Sequence, residues 1–186
     1  MSQFTIIDTP IKDLKVVERK PIGDNRGFLA RIFCADQLKS AGWYESIAQI
    51  NQTVTAKKGT VRGMHFQHSP HAEMKLVSCL QGEIFDVAVD LRPSSPTFLK
   101  WHAEKLSSEN ARALLIPEGF AHGFQTLTDN CELLYLHSAP HTPSSEAGIH
   151  ANDPRLGIVW PIDFSELSKR DSEHPFITDQ FKGIIL

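Results

Sequence analysis

The sequence predicts an all-β chain, a sandwich or jelly-roll barrel with a few short helices. Two observations carry this. Short runs rich in β-branched and aromatic residues recur along most of the 186 residues, and turn-forming clusters separate them at short intervals. No regular alternation of strands with long helical patterns is present, which sets the chain apart from the α/β classes.

In order, the candidate strands are Phe4–Ile7, Leu14–Glu18, Gly27–Phe33, Ile47–Val54, Val61–Gln67, Glu73–Leu80, Glu83–Leu91, Leu99–Lys105, Ala113–Ile116, Gly123–Leu127 and Cys131–Ser138. Gly23-Asp-Asn, Lys57-Lys-Gly, Gln81-Gly82, Pro93-Ser-Ser-Pro96 and Thr128-Asp-Asn130 punctuate them, each rich in residues that favour turns. Helix is expected at Ala35–Ala41 and around Asp163–Arg170, where Ser165-Glu-Leu-Ser precedes a charged turn. No repeat or linker interrupts the chain, so residues 1–186 are expected to form one domain, with a loosely packed tail from about residue 176.

Strand alternation assigns faces. Along Glu83–Leu91, Phe85, Val87, Val89 and Leu91 point one way, and Ile84, Asp86, Ala88 and Asp90 the other. Cys131, Leu133, Tyr135 and His137 share a face, as do Lys75, Val77 and Cys79. Charged and phenolic groups on otherwise apolar faces suit a jelly roll with a small-molecule pocket in its mouth.

Composition narrows the function class. A net charge of −3 argues against a nucleic-acid binder that relies on a broad basic field. The three cysteines, Cys34, Cys79 and Cys131, are widely spaced and form no CxxC, as expected for reduced, mostly buried thiols. The N-terminus lacks a basic and long apolar leader, and no segment is apolar enough to span a bilayer, so a cytoplasmic protein without membrane contact is expected.

The chemistry concentrates in Val61-Arg-Gly-Met-His-Phe-Gln67, followed by Lys75. Histidine takes and returns protons near neutral pH, and a nearby cation can stabilise the anion that proton removal creates. Each residue alone is an ordinary structural or surface group. Their coincidence with Asp86, His122 and Tyr135 in or beside apolar strands is harder to explain that way, because an unpaired buried charge is costly.

Pro117-Glu-Gly-Phe-Ala-His122 resembles the second motif of the cupin superfamily, and Gly59 to Gly82 occupies the place of the first. Metal-binding cupins usually carry His-x-His there, whereas the position two after His65 is Gln67. His68 and His71 fall in a polar stretch that reads as a loop, so no metal site is expected.

The chain more specifically resembles the dTDP-4-dehydrorhamnose 3,5-epimerase family, which has the cupin-type jelly-roll fold. The anchors run from about Ile11 to about Pro175: Gly23-Asp-Asn-Arg-Gly-Phe28, Val61 to Gln67, Lys75-Leu-Val, Gly82 to Arg92, Ser95-Pro-Thr-Phe98, Ile116 to Phe124, Asn152 to Ile158 and Ser168-Lys-Arg-Asp171. The resemblance implies that His65 is the catalytic base, Asp171 its carboxylate partner, Tyr135 the acid on the opposite sugar face and Lys75 the group near the C4 oxygen. It further implies substrate contacts from Arg62, Gln49 and Asn51, a second polar pair in Asp86 and His122, and a nucleotide diphosphate contact from Arg26. The substrate would be a nucleotide-linked 4-keto-6-deoxy sugar, inverted at C3, C5 or both through an enolate, in deoxysugar biosynthesis for a cell-surface polysaccharide or a glycosylated metabolite. No metal or organic cofactor is implied, and the family typically forms homodimers in which N-terminal strands cross between subunits.

Two departures leave alternatives open. Arg31 stands where the family usually has a glutamate at the base-binding end. An arginine cannot accept thymine N3–H but suits the acceptors of cytosine, so the nucleotide is dTDP or CDP, unless Arg31 simply turns outward. His141 falls where a second tyrosine would shape the sugar pocket, and Glu146-Ala-Gly148 lacks the usual arginine, which opens the number of inverted centres. A CDP-linked 4-keto-3,6-dideoxyhexose 5-epimerase is one alternative. Others are a non-catalytic cupin-like sugar-binding domain, against which base and acid together speak, and a metal-dependent cupin enzyme.

Overall fold

The computed structural model describes residues 2–186. Fourteen strands run β1 Phe4–Asp8, β2 Lys15–Arg19, β3 Ile22–Asp24, β4 Gly27–Leu29, β5 Gln49–Thr55, β6 Thr60–Gln67, β7 Lys75–Gln81, β8 Glu83–Asp90, β9 Trp101–Ser107, β10 Arg112–Ile116, β11 Phe120–Thr126, β12 Cys131–His137, β13 Glu146–Gly148 and β14 Glu166–Leu167. Helices α1 (Ala35–Leu38) and α2 (Lys169–Ser172) are single turns, and α1 continues into a tighter turn at Lys39–Ala41.

One sheet has the order β1-β2-β10-β7-β12-β5, the other β13-β6-β11-β8-β9, and β14 joins the second by pairing parallel to β6. Non-sequential antiparallel neighbours in two facing sheets are the signature of a jelly roll. The fold is the cupin-type barrel. Most strands expected from the sequence are present within two or three residues of the expected bounds.

Alternation proves to be the organising signal. Ile84, Ala88, Val77, Cys79, Cys131, Leu133 and Tyr135 meet in one buried cluster between the sheets, while Val87, Val89 and Leu91 pack on the outer side of the second sheet. The outer side of the first sheet is closed by Leu38, Ala41 and Trp43 from the α1 segment against Val17, Leu76 and Leu115. Cys79 and Cys131 are buried free thiols, and burial together with neighbouring Cys131 pushes Cys79 up to about 12.

Three expectations are corrected. Gly27–Phe33 is not one long strand: only Gly27–Leu29 is extended, pairing with β3 in a separate hairpin whose Ile22, Phe28 and Leu29 are exposed. With no sheet neighbour to continue the ladder, the strand stops there. Asp163–Arg170 is not a helix: Glu166 and Leu167 pair with Thr60 and Val61, and helix begins only at Lys169, after Ser168 caps it by accepting from Asp171 N at 3.0 Å. The tail beyond residue 176 is not loosely packed: Ile177 and Ile184 are buried among Met64, Leu91 and Ala121, Ile184 N donates to Leu91 O at 2.7 Å, and Phe181 stacks on Phe98. Its apolar residues are too sparse for a periodic pattern, yet Ile177, Phe181 and Ile184 pack on the outer sheet face, while Ile185 and Leu186 stay exposed.

Candidate active site

A cavity of about 980 Å³ opens between the two sheets. Arg62, His65 and Gln67 of β6 with His122 of β11 form one wall; Gln49, Asn51 and Thr53 of β5, Lys75 of β7, and Tyr135 and His137 of β12 form the other. Ser168, Arg170 and Asp171 close the rim. All four residues expected to carry the chemistry, His65, Tyr135, Asp171 and Lys75, therefore line one space.

His65 Nε2 lies 2.7 Å from Asp171 Oδ1. Asp171 is buried, and its second oxygen accepts from the Gly63 amide at 3.3 Å. That amide is available because β6 and β11 shift register between His122 and Phe124, opposite Gly63. Glycine is required here: φ is +126°, and a Cβ would meet Gly123 Cα at 2.5 Å. Burial opposes ionisation of Asp171, but the hydrogen bond and charge of His65, the Gly63 amide and Ser168 outweigh it and hold the carboxyl at about 2. An ionised Asp171 accepts a hydrogen bond from Nε2–H, which leaves His65 Nδ1 as the nitrogen free to accept a proton.

On the facing wall Tyr135 is buried, and burial followed by the negative charge of Asp86 raises its phenol well above the ordinary value. It is a neutral hydroxyl that can give up a proton only to a strong base. Lys75 Nζ lies 3.2 Å from Glu73 Oε1, and Glu73 Oε2 lies 2.7 Å from His137 Nδ1. Burial works against the Glu73 anion, but the His137 hydrogen bond and the Lys75 charge keep its carboxyl below the ordinary value.

The remaining expected residues divide. Arg62, Gln49, Asn51, His122 and His141 all line the cavity. Asp86 stands behind it, fully buried, with Oδ1 at 2.7 Å from His122 Nε2. His141 is tied to Gln49 Oε1 through its amide and to Glu146 through its ring at 3.2 Å. Arg26 and Arg31 do not join this group. Arg26 sits on the β3–β4 hairpin, its side chain 90% exposed and paired only with Asp24, and Arg31 is exposed just beyond the hairpin. Within one chain nothing folds the hairpin back over the cavity.

Several site residues escaped the sequence reading. Glu73, Glu146, Arg170 and His174 are brought in by pairing and by the last turn of chain, and only His137 had a visible signal, its shared face with Tyr135. Gln67, which breaks the metal-binding pattern, is occupied with loop backbone: it accepts from Thr142 N at 2.6 Å and donates to His71 O at 2.9 Å. Among the described residues, one group of donors could share a metal ion: His65, Asp171 and His174, within 4.8 Å. The Arg170 guanidinium lies 3.2 Å from His65 Nε2 and 3.6 Å from Asp171 Oδ1, so the place is already held by a cation.

Comparison with known proteins gives the family. Residues 8–179 match the family described as dTDP-4-dehydrorhamnose 3,5-epimerase. A curated relative of that name from Salmonella typhimurium is 44% identical over 92% of this chain and 94% of its own length. The crystal structure of dTDP-6-deoxy-D-glucose-3,5-epimerase from Legionella pneumophila, in complex with dTDP-4-keto-L-rhamnose, superposes with a TM-score of 0.89 at 42% identity, covering 93% of this chain and 92% of that one. A 3′-monoepimerase from Streptomyces bikiniensis, in complex with dTDP-quinovose, gives 0.83 at 32% identity over 91% and 86%.

Proposed function

The chain belongs to the dTDP-4-dehydrorhamnose 3,5-epimerase family, and from that premise we propose that it inverts C3 and C5 of a dTDP-linked 4-keto-6-deoxyhexose. The observation that carries this reading is the placement of His65 on one sheet and of Tyr135 and Lys75 on the other, facing the same cavity.

The C4 ketone acidifies the hydrogens at C3 and C5. His65 Nδ1 removes one of them, and the ionised Asp171 stabilises the imidazolium that forms, as carboxylates do in other histidine pairs. The electrons move to O4, where the Lys75 ammonium stabilises the enolate, a preorganised role worth roughly 3 kcal/mol. A proton then returns from the Tyr135 wall, so the carbon is rebuilt with the opposite configuration. Arg62, Gln49 and Asn51 offer polar contacts along the same cavity to hold the sugar nucleotide.

Arg26 and Arg31 gain a role if the protein is a homodimer in which the β3–β4 hairpin of one subunit reaches the cavity of its partner. The hairpin supports this by exposing Ile22 at 63%, Phe28 at 72% and Leu29 at 77%, a costly arrangement unless a second chain covers them. dTDP is the nucleotide proposed, because the similar proteins are named for dTDP sugars and one is in complex with dTDP-4-keto-L-rhamnose. Deoxysugar biosynthesis in the cytoplasm is the setting this chemistry fits.

The test is incubation with dTDP-4-keto-6-deoxyglucose, and separately its CDP counterpart, in deuterated water, followed by proton NMR. The dTDP sugar is expected to take up deuterium at C3 and C5, and His65→Ala to abolish uptake. No uptake in the unmodified protein ends the reading, and a preference for CDP returns the nucleotide question to Arg31.

A further inference from the structure

The cavity holds more proton-carrying groups than one base and one acid require. Three histidine–carboxylate contacts of 2.7 Å stand around it: His65–Asp171, His122–Asp86 and His137–Glu73. The third belongs to the same wall as Tyr135. His137 follows Tyr135 by two residues on β12, so both rings emerge from one face, and they stack at 5.9 Å with an interplanar angle of 15°. With Nδ1 held by Glu73, His137 Nε2 has one hydrogen-bonding neighbour among the described residues, Asn51 Nδ2 at a long 3.5 Å. It is therefore the nitrogen available to a bound sugar.

Inversion at two carbons needs two proton deliveries on the side facing away from His65. The phenol of Tyr135 is buried and gives up its proton reluctantly. A histidine is a far better proton donor than a phenol near neutral pH, and Glu73 Oε2 stands 2.7 Å from the far nitrogen of this one. On the strands flanking β12, the charged groups at this level are Glu73 and Lys75 on the β7 side, while β5 presents the uncharged Gln49 and Asn51. Glu73 thus balances Lys75 and His137 together.

We propose that His137, held by Glu73, is a second proton donor on the Tyr135 wall, serving one of the two carbons that flank the ketone while Tyr135 serves the other. This rests on the epimerase reading above. In the step assigned to it, the substrate C–H proton passes to His65 Nδ1 and the electron pair to O4. The enolate then collapses as the His137 Nε2–H bond breaks and a new C–H bond forms on the opposite face. His137 is left neutral with its proton on Nδ1 toward Glu73, His65 is left as imidazolium, and exchange with water through the open cavity resets both. Glu73 is a positioning residue, acting through the histidine.

The experiment follows each carbon separately by proton NMR in deuterated water with dTDP-4-keto-6-deoxyglucose. His137→Gln should lose inversion about 100-fold at one carbon, the usual scale for a general acid. Deuterium should still wash into that position with retention, because His65 is intact. Tyr135→Phe should show the same split at the other carbon, and Glu73→Gln should reproduce the His137→Gln pattern more weakly. A merely structural role would slow both carbons alike. Equal loss at both carbons, no loss in His137→Gln, or inversion of a single carbon by the unmodified protein each overturns the proposal. Absence of all exchange in the unmodified protein is a different result and overturns the epimerase reading itself.

Discussion

His65–Asp171 and His122–Asp86 have the same 2.7 Å separation and face the same cavity, yet their surroundings differ in kind. The His65 side chain is 23% exposed, against 6% for His122. Asp171 reaches across 106 residues and has both oxygens engaged, by His65 and by the Gly63 amide. Asp86 lies on β8, adjacent to the β11 strand that carries His122, and its second oxygen has no hydrogen-bond partner. The first pair is satisfied and accessible, so a proton can arrive and leave. The second is sealed and incompletely satisfied, and its charge acts at a distance by raising the Tyr135 phenol. Equal geometry does not mean equal chemistry; access and the remaining hydrogen bonds decide.

The largest expected break in this contrast is His65→Ala. It should lower epimerisation by about 10³-fold, and it should also lower stability by about 1–3 kcal/mol, since the buried Asp171 carboxylate loses the partner that holds it ionised. Rate and melting temperature measured on the same preparation check both halves. An equally large rate loss in His122→Asn would erase the distinction between the pairs.

Next comes Gly63→Ala, aimed at the backbone that holds Asp171. The added Cβ would meet Gly123 Cα at 2.5 Å and the His122 carbonyl oxygen at 2.8 Å, at a φ that favours glycine. Destabilisation of about 3 kcal/mol or more is expected in urea unfolding, in the range of severe core overpacking with backbone strain.

Asp171 also leaves a signature in acid. Its folded value of about 2 lies below the ordinary 3.8, so its stabilisation is complete above the ordinary value and disappears as pH falls through about 2. That contribution is about 2 kcal/mol. Urea midpoints collected between neutral pH and strong acid should therefore fall less steeply for Asp171→Asn than for the unmodified protein.

The smallest effect sharpens the sealed pair. Asp86→Asn removes a negative charge that raises the Tyr135 phenol, so the phenol should titrate at lower pH. The chain has two tyrosines, and Tyr44 is 64% exposed, so ultraviolet difference titration can separate them. An unchanged Tyr135 titration would show that burial alone sets it.

Much of this was legible beforehand because alternation is a local property. The faces of Ile84, Asp86 and Ala88, and of Leu133, Tyr135 and His137, follow from a period of two and from nothing distant. The expected helix at Asp163–Arg170 failed because a polar, charged stretch carries no record of the edge it will pair with, here Thr60 and Val61. Glu73 was missed as a site residue for a related reason. It lies just before β7, and only the antiparallel register that sets His137 opposite Lys75 brings the carboxylate to that ring.

By itself, then, the sequence determined the all-β class, which side chains share a strand face and the family whose motifs it carries. The tertiary structure alone decided that Glu73 divides its charge between Lys75 and His137, and that Arg26 and Arg31 lie away from the cavity. The physical reason is range. Backbone periodicity and turn chemistry act over a few residues, whereas each of these pairings depends on how two twisted sheets and a terminal turn pack across the whole fold.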